Sequence, residues 1–372
     1  MGQFASENGL NQFLSTGSFN QNQIGNGQRF FGNCESRIFF EPGEFLFNVP
    51  PGISRVRVRL IGGGGSGASR GFIGTAVASG GAGGGYAEKI LPVTAGQSFP
   101  VIVASGGLGV TGDANGNPGG TTSFGALVSA TGGEGGIQSA GTTNTTIAVT
   151  ENEGGTGIGG DINYIGGSSG AISNGNTSGN KICGVAGGGG SSATWMGNGV
   201  SSGDIVFNNI NSNASSCASG GAGVGGNGGS IDPTKYTPSS QTNYDTSGGG
   251  AGSSGIDQSE GLDVWETSLL VLPNQFNARF ITDIIFSAGG LRRTPGASIG
   301  VGGGSGGTAF GESTSPASVS RSGYFGGTGG FACTEIGYIL KARAGGGGGG
   351  MVSQNINRFS GEGGSGLVIV EW

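Results

Sequence analysis

Residues 55–67 read RVRVRLIGGGGSG, and the change of rule at Gly62 decides the fold. Before it, Arg55, Arg57 and Arg59 alternate with Val56, Val58 and Leu60, the period of two that marks a strand with one buried face. After it, side chains all but vanish. Similar runs recur at Gly187 to Gly190 and Gly345 to Gly350, and glycine supplies 91 of the 372 residues. Each ordered glycine costs about 0.5 to 1 kcal/mol more backbone entropy than alanine, so such runs are either disordered or locked by close backbone contact. Disorder goes with high net charge and few aromatics. This chain spreads a formal charge of -6 over its whole length and carries 20 Phe, so the glycines are read as structural.

An α-helix loses about 1 kcal/mol per glycine, and a pleated strand without side chains packs poorly. The extended helix of three residues per turn remains. It makes no internal hydrogen bonds, so every amide is free to bond sideways to a neighbouring segment. Collagen uses the same local geometry but needs glycine at every third position and abundant proline; here the spacing is irregular and there are 11 Pro. The expected fold is mostly β and irregular, with little or no α-helix: a small antiparallel β-sandwich base carrying a core of packed polyglycine II helices.

The base is expected over residues 37–103, completed by a C-terminal strand at 367–372. Arg37 to Phe40 and Phe45 to Val49 flank the turn Glu41, Pro42, Gly43, Glu44 and read as a hairpin; Tyr86 to Val93 and Ser98 to Val103 flank Thr94, Ala95, Gly96. Val56, Val58 and Leu60 should then be buried against Val368, Val370 or Trp372. Residues 104–366 form the expected polyglycine II domain, interrupted at 262–286 by an apolar insertion holding Trp265, Leu269 and Phe280, read as a local core or as a binding loop. Residues 1–36 form an N-terminal arm, polar and rich in Asn, Gln and Ser, with neither the basic start nor the apolar run of a signal peptide. No stretch approaches the roughly 18 apolar residues of a membrane span, so no membrane insertion is expected.

The stretch from Phe47, Asn48, Val49, Pro50, Pro51, Gly52 to Leu60, Ile61 and Gly62 to Gly65 is followed by Gly83, Gly84, Gly85, Tyr86, Ala87, Glu88. Gly119, Gly120, Thr121, Thr122, Ser123, Phe124, Gly125 and a closing GEGGSGLVIVEW at 361–372 complete an ordered set. From about residue 45 to 372 the chain resembles the glycine-rich domain of tail fibre and adhesin proteins of tailed bacteriophages. The resemblance implies a virion protein of the tail, assembled in the host cytoplasm, whose variable loops touch a host surface glycan or outer-membrane protein. It implies no catalytic residue and no cofactor. The first 44 residues and the 262–286 insertion depart from the pattern, and the N-terminal arm is the expected mount on other tail proteins. Threefold association is common for fibres, so a homotrimer is one expectation; a glycine core that satisfies its own amides can equally stand alone.

Chemistry-bearing motifs fail on their surroundings. Gly62, Gly64 and Gly67 match a dinucleotide fingerprint after a strand, but no helix follows to hold a pyrophosphate, and Ala68 and Ser69 stand where a phosphate loop needs Lys and Ser or Thr. Gly166 to Gly170 and Gly303 to Gly307 match a nucleophile elbow by letter, yet the chain has no histidine, which removes serine triads, Cys–His nucleophiles and the commonest zinc ligand. Glu151, Glu153 and Asp161 are the densest carboxylates and read as solvated loop residues before they read as a glycosidase pair. Asp113, Asn115 and Asn117 alternate as in a calcium loop, but Pro118 and Phe124 occupy the glycine and glutamate positions. Cys34, Cys183, Cys217 and Cys333 show no metal spacing and are read as free thiols. Basic residues are scattered and the balance is acidic, against nucleic-acid binding.

What remains is contact. Tyr164, Trp195, Phe207, Tyr236 and Tyr244 stand singly in stretches rich in Asn, Ser and Thr, flat apolar rings beside adaptable donors. They are the receptor-contact candidates, with capping of the open ends of the glycine bundle as the competing role. The expected function is a tail fibre or tail-tip adhesin. A purely structural virion component, a polysaccharide-degrading enzyme and a bacterial glycine-rich surface or ice-associated protein are the alternatives.

Overall fold

The computed structural model describes residues 18–20, 35–71, 75–141, 147–176, 182–209, 214–223, 226–230, 243–245, 259–260, 293–295, 308–310, 318–319, 331–332, 345–353 and 358–372. The 262–286 insertion, Tyr236, Cys34, Cys333 and most of the N-terminal arm lie outside them. The described residues contain strands and extended segments and no α-helix.

Alternation builds the base. One sheet orders Ser18–Asn20, Glu35–Phe39, Leu367–Glu371, Arg55–Ile61, Tyr86–Pro92 and Ile162–Tyr164, every pair antiparallel. The other orders Gly157–Ile158, Val128–Ala130, Thr122–Phe124, Ser98–Val103 and Gly43–Asn48, also antiparallel. Leu60 stands opposite Val368 and Val58 opposite Val370, and these four with Val56 are fully buried. They share one core with Phe47, Phe99, Val101, Phe124 and Val128 of the second sheet, closed by Trp372, whose ring lies 5.4 Å from that of Phe47. Each such buried aliphatic or aromatic side chain contributes about 1.5 to 3 kcal/mol. The interleaved arginines face outward, where Arg57 and Arg59 pair with Glu88 and Glu371.

The hairpin expected at 37–49 is not a hairpin. Glu35–Phe39 pairs with the C-terminal strand, while Gly43–Asn48 pairs with Ser98–Val103 in the opposite sheet, so the connection through Pro42 crosses the sandwich. Tyr86–Pro92 and Ser98–Val103 are likewise divided between the sheets. A crossing lets one apolar face from each strand meet in the same core, which a flat hairpin cannot do.

Beyond Ile61 the amides of residues 62–69 turn outward in rotation. Gly62, Gly65 and Ala68 donate to Gly85, Ala82 and Ser79 at 3.0, 2.9 and 3.0 Å. Gly63, Ser66 and Ser69 donate to Gly120, Asn117 and Ala114 at 3.1, 2.9 and 2.9 Å. Gly64 and Gly67 donate to Gly364 and Gly361 at 2.8 and 2.9 Å. A new neighbour at each residue and the same neighbour at every third is the signature of a three-residue helix. The carbonyls use three further neighbours: Gly63 and Ser66 accept from Gly133 and Gly136, Gly65 and Ala68 from Gly348 and Met351, and Gly64 from Gly107. Residues 62–69 are thus the axis of a lattice with three donor-side and three acceptor-side neighbours. A Cβ on Gly64 would overlap the carbonyl of Gly346, and one on Gly65 the carbonyl of Glu134.

Several polar side chains in the bundle act as backbone does. The hydroxyls of Ser66, Ser79, Ser202 and Ser219 accept from the amides of Asn117, Ile137, Gly170 and Gly188. Buried Asn152 donates to the carbonyls of Gly80 and Gly135 at 2.9 and 3.1 Å and accepts from the Ser169 amide at 2.8 Å, joining three segments.

Residues 187, 190 and 193 donate to 78, 81 and 84 in step, so those segments run parallel. The strands that continue them are parallel too: Thr75–Ala78, Ile182–Ala186 and Ala214–Ala218 lie side by side at the end of the bundle away from the sandwich. Val77, Ile147, Val149, Ile172, Val185 and Ile205 form a small apolar core there. The glycine region therefore ends in its own β-structure.

Candidate contact surfaces

The four aromatic candidates among the described residues divide between the two ends. At the sandwich end, Ala193 donates to Gly84 at 2.9 Å and the chain then turns back at 194–197. Thr194 and Gly197 exchange backbone hydrogen bonds of 3.1 and 3.0 Å, with Gly197 at φ 139°, a value that a side chain would resist. The turn is held from beyond as well: Gly199 donates to the Ile165 carbonyl at 2.8 Å, and the Asn198 carboxamide oxygen accepts from the Ile165 amide at 3.0 Å. So fixed, it raises Trp195 and Met196 into solvent, 52% and 67% exposed, beside a strand end whose Ile165 is 52% exposed.

Tyr164 is different. It ends the Ile162–Tyr164 strand at the margin of the base sheet, half-buried, with its ring stacked on that of Tyr86 at 6.0 Å. Both pack with Ile61, Ala193 and Leu367 where the sandwich meets the bundle. Tyr86 donates its phenol proton to Glu88 at 2.6 Å; burial first, and that bond to a carboxylate second, hold its ionisation far above the usual tyrosine range. Tyr164 thus covers a structural joint.

At the far end, Phe207 lies in Ile205–Asn209 at the register position of Asn174, and Tyr244 in Asn243–Asp245 at that of Cys217. Cys183 and Cys217 occupy adjacent parallel strands two residues out of step. The structure therefore brings Tyr164 and Trp195 to one end and the Phe207 and Tyr244 strands to the other. Met196 and Ile165 escaped the sequence reading because a single apolar residue next to glycine reads as core; the clue was Trp195 and Met196 in succession ahead of Gly197.

The remaining polar clusters serve the chain itself. Asp113 accepts from the Gly71 amide at 2.7 Å and pairs with Arg70 at 3.6 Å, Asn115 accepts from the Gln138 amide at 2.9 Å, and Asn117 donates to the Leu108 carbonyl at 2.8 Å, so the alternating acid-amide run ties loops together. Asp161 accepts from the Ile90 amide at 2.9 Å and Glu151 from the Ser168 hydroxyl at 3.0 Å. Among the described residues no group of three or more His, Cys, Asp or Glu is arranged to hold a metal ion, and no helix is long and apolar enough to cross a membrane.

Residues 40–263 match a family described as a glycine-rich domain. No curated protein matches the chain.

Proposed function

The chain belongs to the glycine-rich domain family, and we propose that it is a host-recognition fibre or adhesin of a bacteriophage tail, with the glycine bundle as a stiff spacer between a mounting end and a contact end. The observation that carries this reading is the polarity of the bundle. The strand Glu35–Phe39, which follows the N-terminal arm, pairs with the C-terminal strand Leu367–Glu371, so the chain enters and leaves through the sandwich. The opposite end carries short strands, and chain ends of this kind are where sequence can vary without disturbing a scaffold. The mount is then the sandwich with its N-terminal arm on other tail proteins. The receptor surface is the far end around Phe207 and Tyr244, facing a glycan or an outer-membrane protein.

The test is binding of the purified protein to whole cells of candidate hosts. Saturable binding that is lost in a Phe207→Ala, Tyr244→Ala variant and kept in Trp195→Ala supports the reading with this orientation. Loss in Trp195→Ala alone reverses the orientation. No binding to any host that the intact particle infects defeats the adhesin reading in favour of a structural virion role.

A further inference from the structure

Gly43–Asn48 is the terminal strand of the five-stranded sheet and among the described residues pairs only with Ser98–Val103. Two observations give the direction of its amides. Leu46 stands opposite Pro100, which has no N–H to give. Just beyond the strand, Val49 donates to Gln97 at 2.8 Å and accepts from Gly96 at 3.0 Å, on the inner side. Alternate residues of an antiparallel strand direct both N–H and C=O to the same side. Gly43, Phe45 and Phe47 therefore serve the existing ladder, as Val49 serves its continuation, while Glu44, Leu46 and Asn48 direct their amides and carbonyls out of the sheet.

Proteins blunt such edges with lysine, proline, bulges or a covering segment. Here Pro42 and Pro50 bracket the strand, but Glu44 is the only charge between them, and Leu46 at the centre is 52% exposed. Ile102 on the neighbouring strand, opposite Glu44, is 40% exposed on the same outer face.

We infer that this edge is a self-association surface and that its partner is a second copy of the chain, paired antiparallel about a two-fold axis through Leu46. The register follows from the amides. With Leu46 opposite Leu46 of the partner subunit, Glu44 meets Asn48 of the partner subunit and Asn48 meets Glu44 of the partner subunit. Every outward-pointing group then exchanges hydrogen bonds. A shift that sets Glu44 against Leu46 of the partner subunit strands Asn48, and a one-residue slip opposes outward groups with inward ones. The chosen register joins no like charges, sets the two Leu46 side chains in one row with the two Pro100 rings, and places Pro42 opposite Pro50 of the partner subunit, so both strands stop together. A foreign extended peptide has no reason to match those stops. A two-fold contact uses the same patch on both copies and closes at the dimer.

The test is sedimentation velocity over a range of concentrations on the full chain, its Leu46→Lys and Leu46→Glu variants, and an equimolar mixture of the two variants. Leu46 is exposed, so each variant should keep a cooperative thermal transition, which shows that it folds. The expected result is a concentration-dependent dimer for the parent chain, monomers for each variant alone, and recovery of the dimer in the mixture, where opposite charges meet at the axis. A parent chain that stays monomeric overturns the proposal and leaves the edge to another peptide or to the chain's own N-terminal segment. A trimer overturns it too, as does a dimer that survives both substitutions, and failure of the mixture to recover overturns the register.

Discussion

Leu60 and Gly64 are four residues apart on one continuous segment, yet opposite means hold them. Leu60 is fixed by what its side chain touches: a buried face shared with Val368 and the aromatic core of the sandwich. Gly64 is fixed by the absence of a side chain, since its amide reaches Gly364 only because backbones close to overlap. The sandwich is an ordinary apolar core whose parts can be trimmed by degrees. The bundle satisfies its polar backbone outright and has nothing to trim, so a single added carbon must displace a whole neighbouring segment.

That contrast can be broken most severely at the bundle axis. Gly64→Ala and Gly65→Ala each push a methyl into a different neighbour, and each should cost about 3 kcal/mol or more; the double variant should lose its cooperative transition in urea. Leu60→Ala, which empties part of the sandwich core, should cost about 2 to 5 kcal/mol yet leave a cooperative transition, read by the same titration. If alanine at Gly64 costs less than about 1 kcal/mol, the backbone lattice is not what holds the bundle.

A smaller effect sharpens the comparison. Asn152→Ala removes the carboxamide that joins three segments and leaves two buried carbonyls and an amide without it; about 1 to 3 kcal/mol should be lost in thermal or urea unfolding. Trp195→Ala should change stability by less than about 0.5 kcal/mol, because the turn is held by its backbone and by Asn198. Smallest of all is the response at Glu362, whose carboxyl is pushed above its ordinary value of 4.5 by burial. The folded state therefore favours the protonated form: the stabilisation is complete below the ordinary value and is lost as pH rises through the raised one. Glu362→Gln should abolish that decline, so the melting temperature of the variant should gain on the parent as pH increases.

The sandwich strands were legible because side chains announce them: the alternation at 55–61 and the run LVIVE at 367–371 fixed both the elements and their shared core. Which strands pair was less legible at 37–49, where a turn signal was read as a hairpin although Pro42 carries the chain to the other sheet. Glycine runs announced the three-residue helix but not its neighbours, since glycine has no side chain in which register can be written. That information sits in sparse substitutions such as Ser66, Ser79 and Asn152, each of which looks like filler until its amide partner is known. The small core at the far end was missed because Ile147, Ile172 and Ile205 are apolar residues scattered through polar stretches. They become a core only when the bundle aligns them. Trp195 was legible as an exposed ring, whereas Tyr164 was not, because its stacking on Tyr86 depends on a distant strand pairing.

The axis helix at 62–69 has neighbours drawn from 79–85, 107, 114–120, 133–136, 348–351 and 361–364. During synthesis, then, an early glycine segment is among the last to be fully surrounded. Two of its six flanks do not exist until residues 348–351 and 361–364 are made, and pairings this distant along the chain make folding slow. The axis segment must stay open and water-bonded until those residues have been translated. A stop codon at position 344 would therefore release a chain whose innermost helix is bare on two sides.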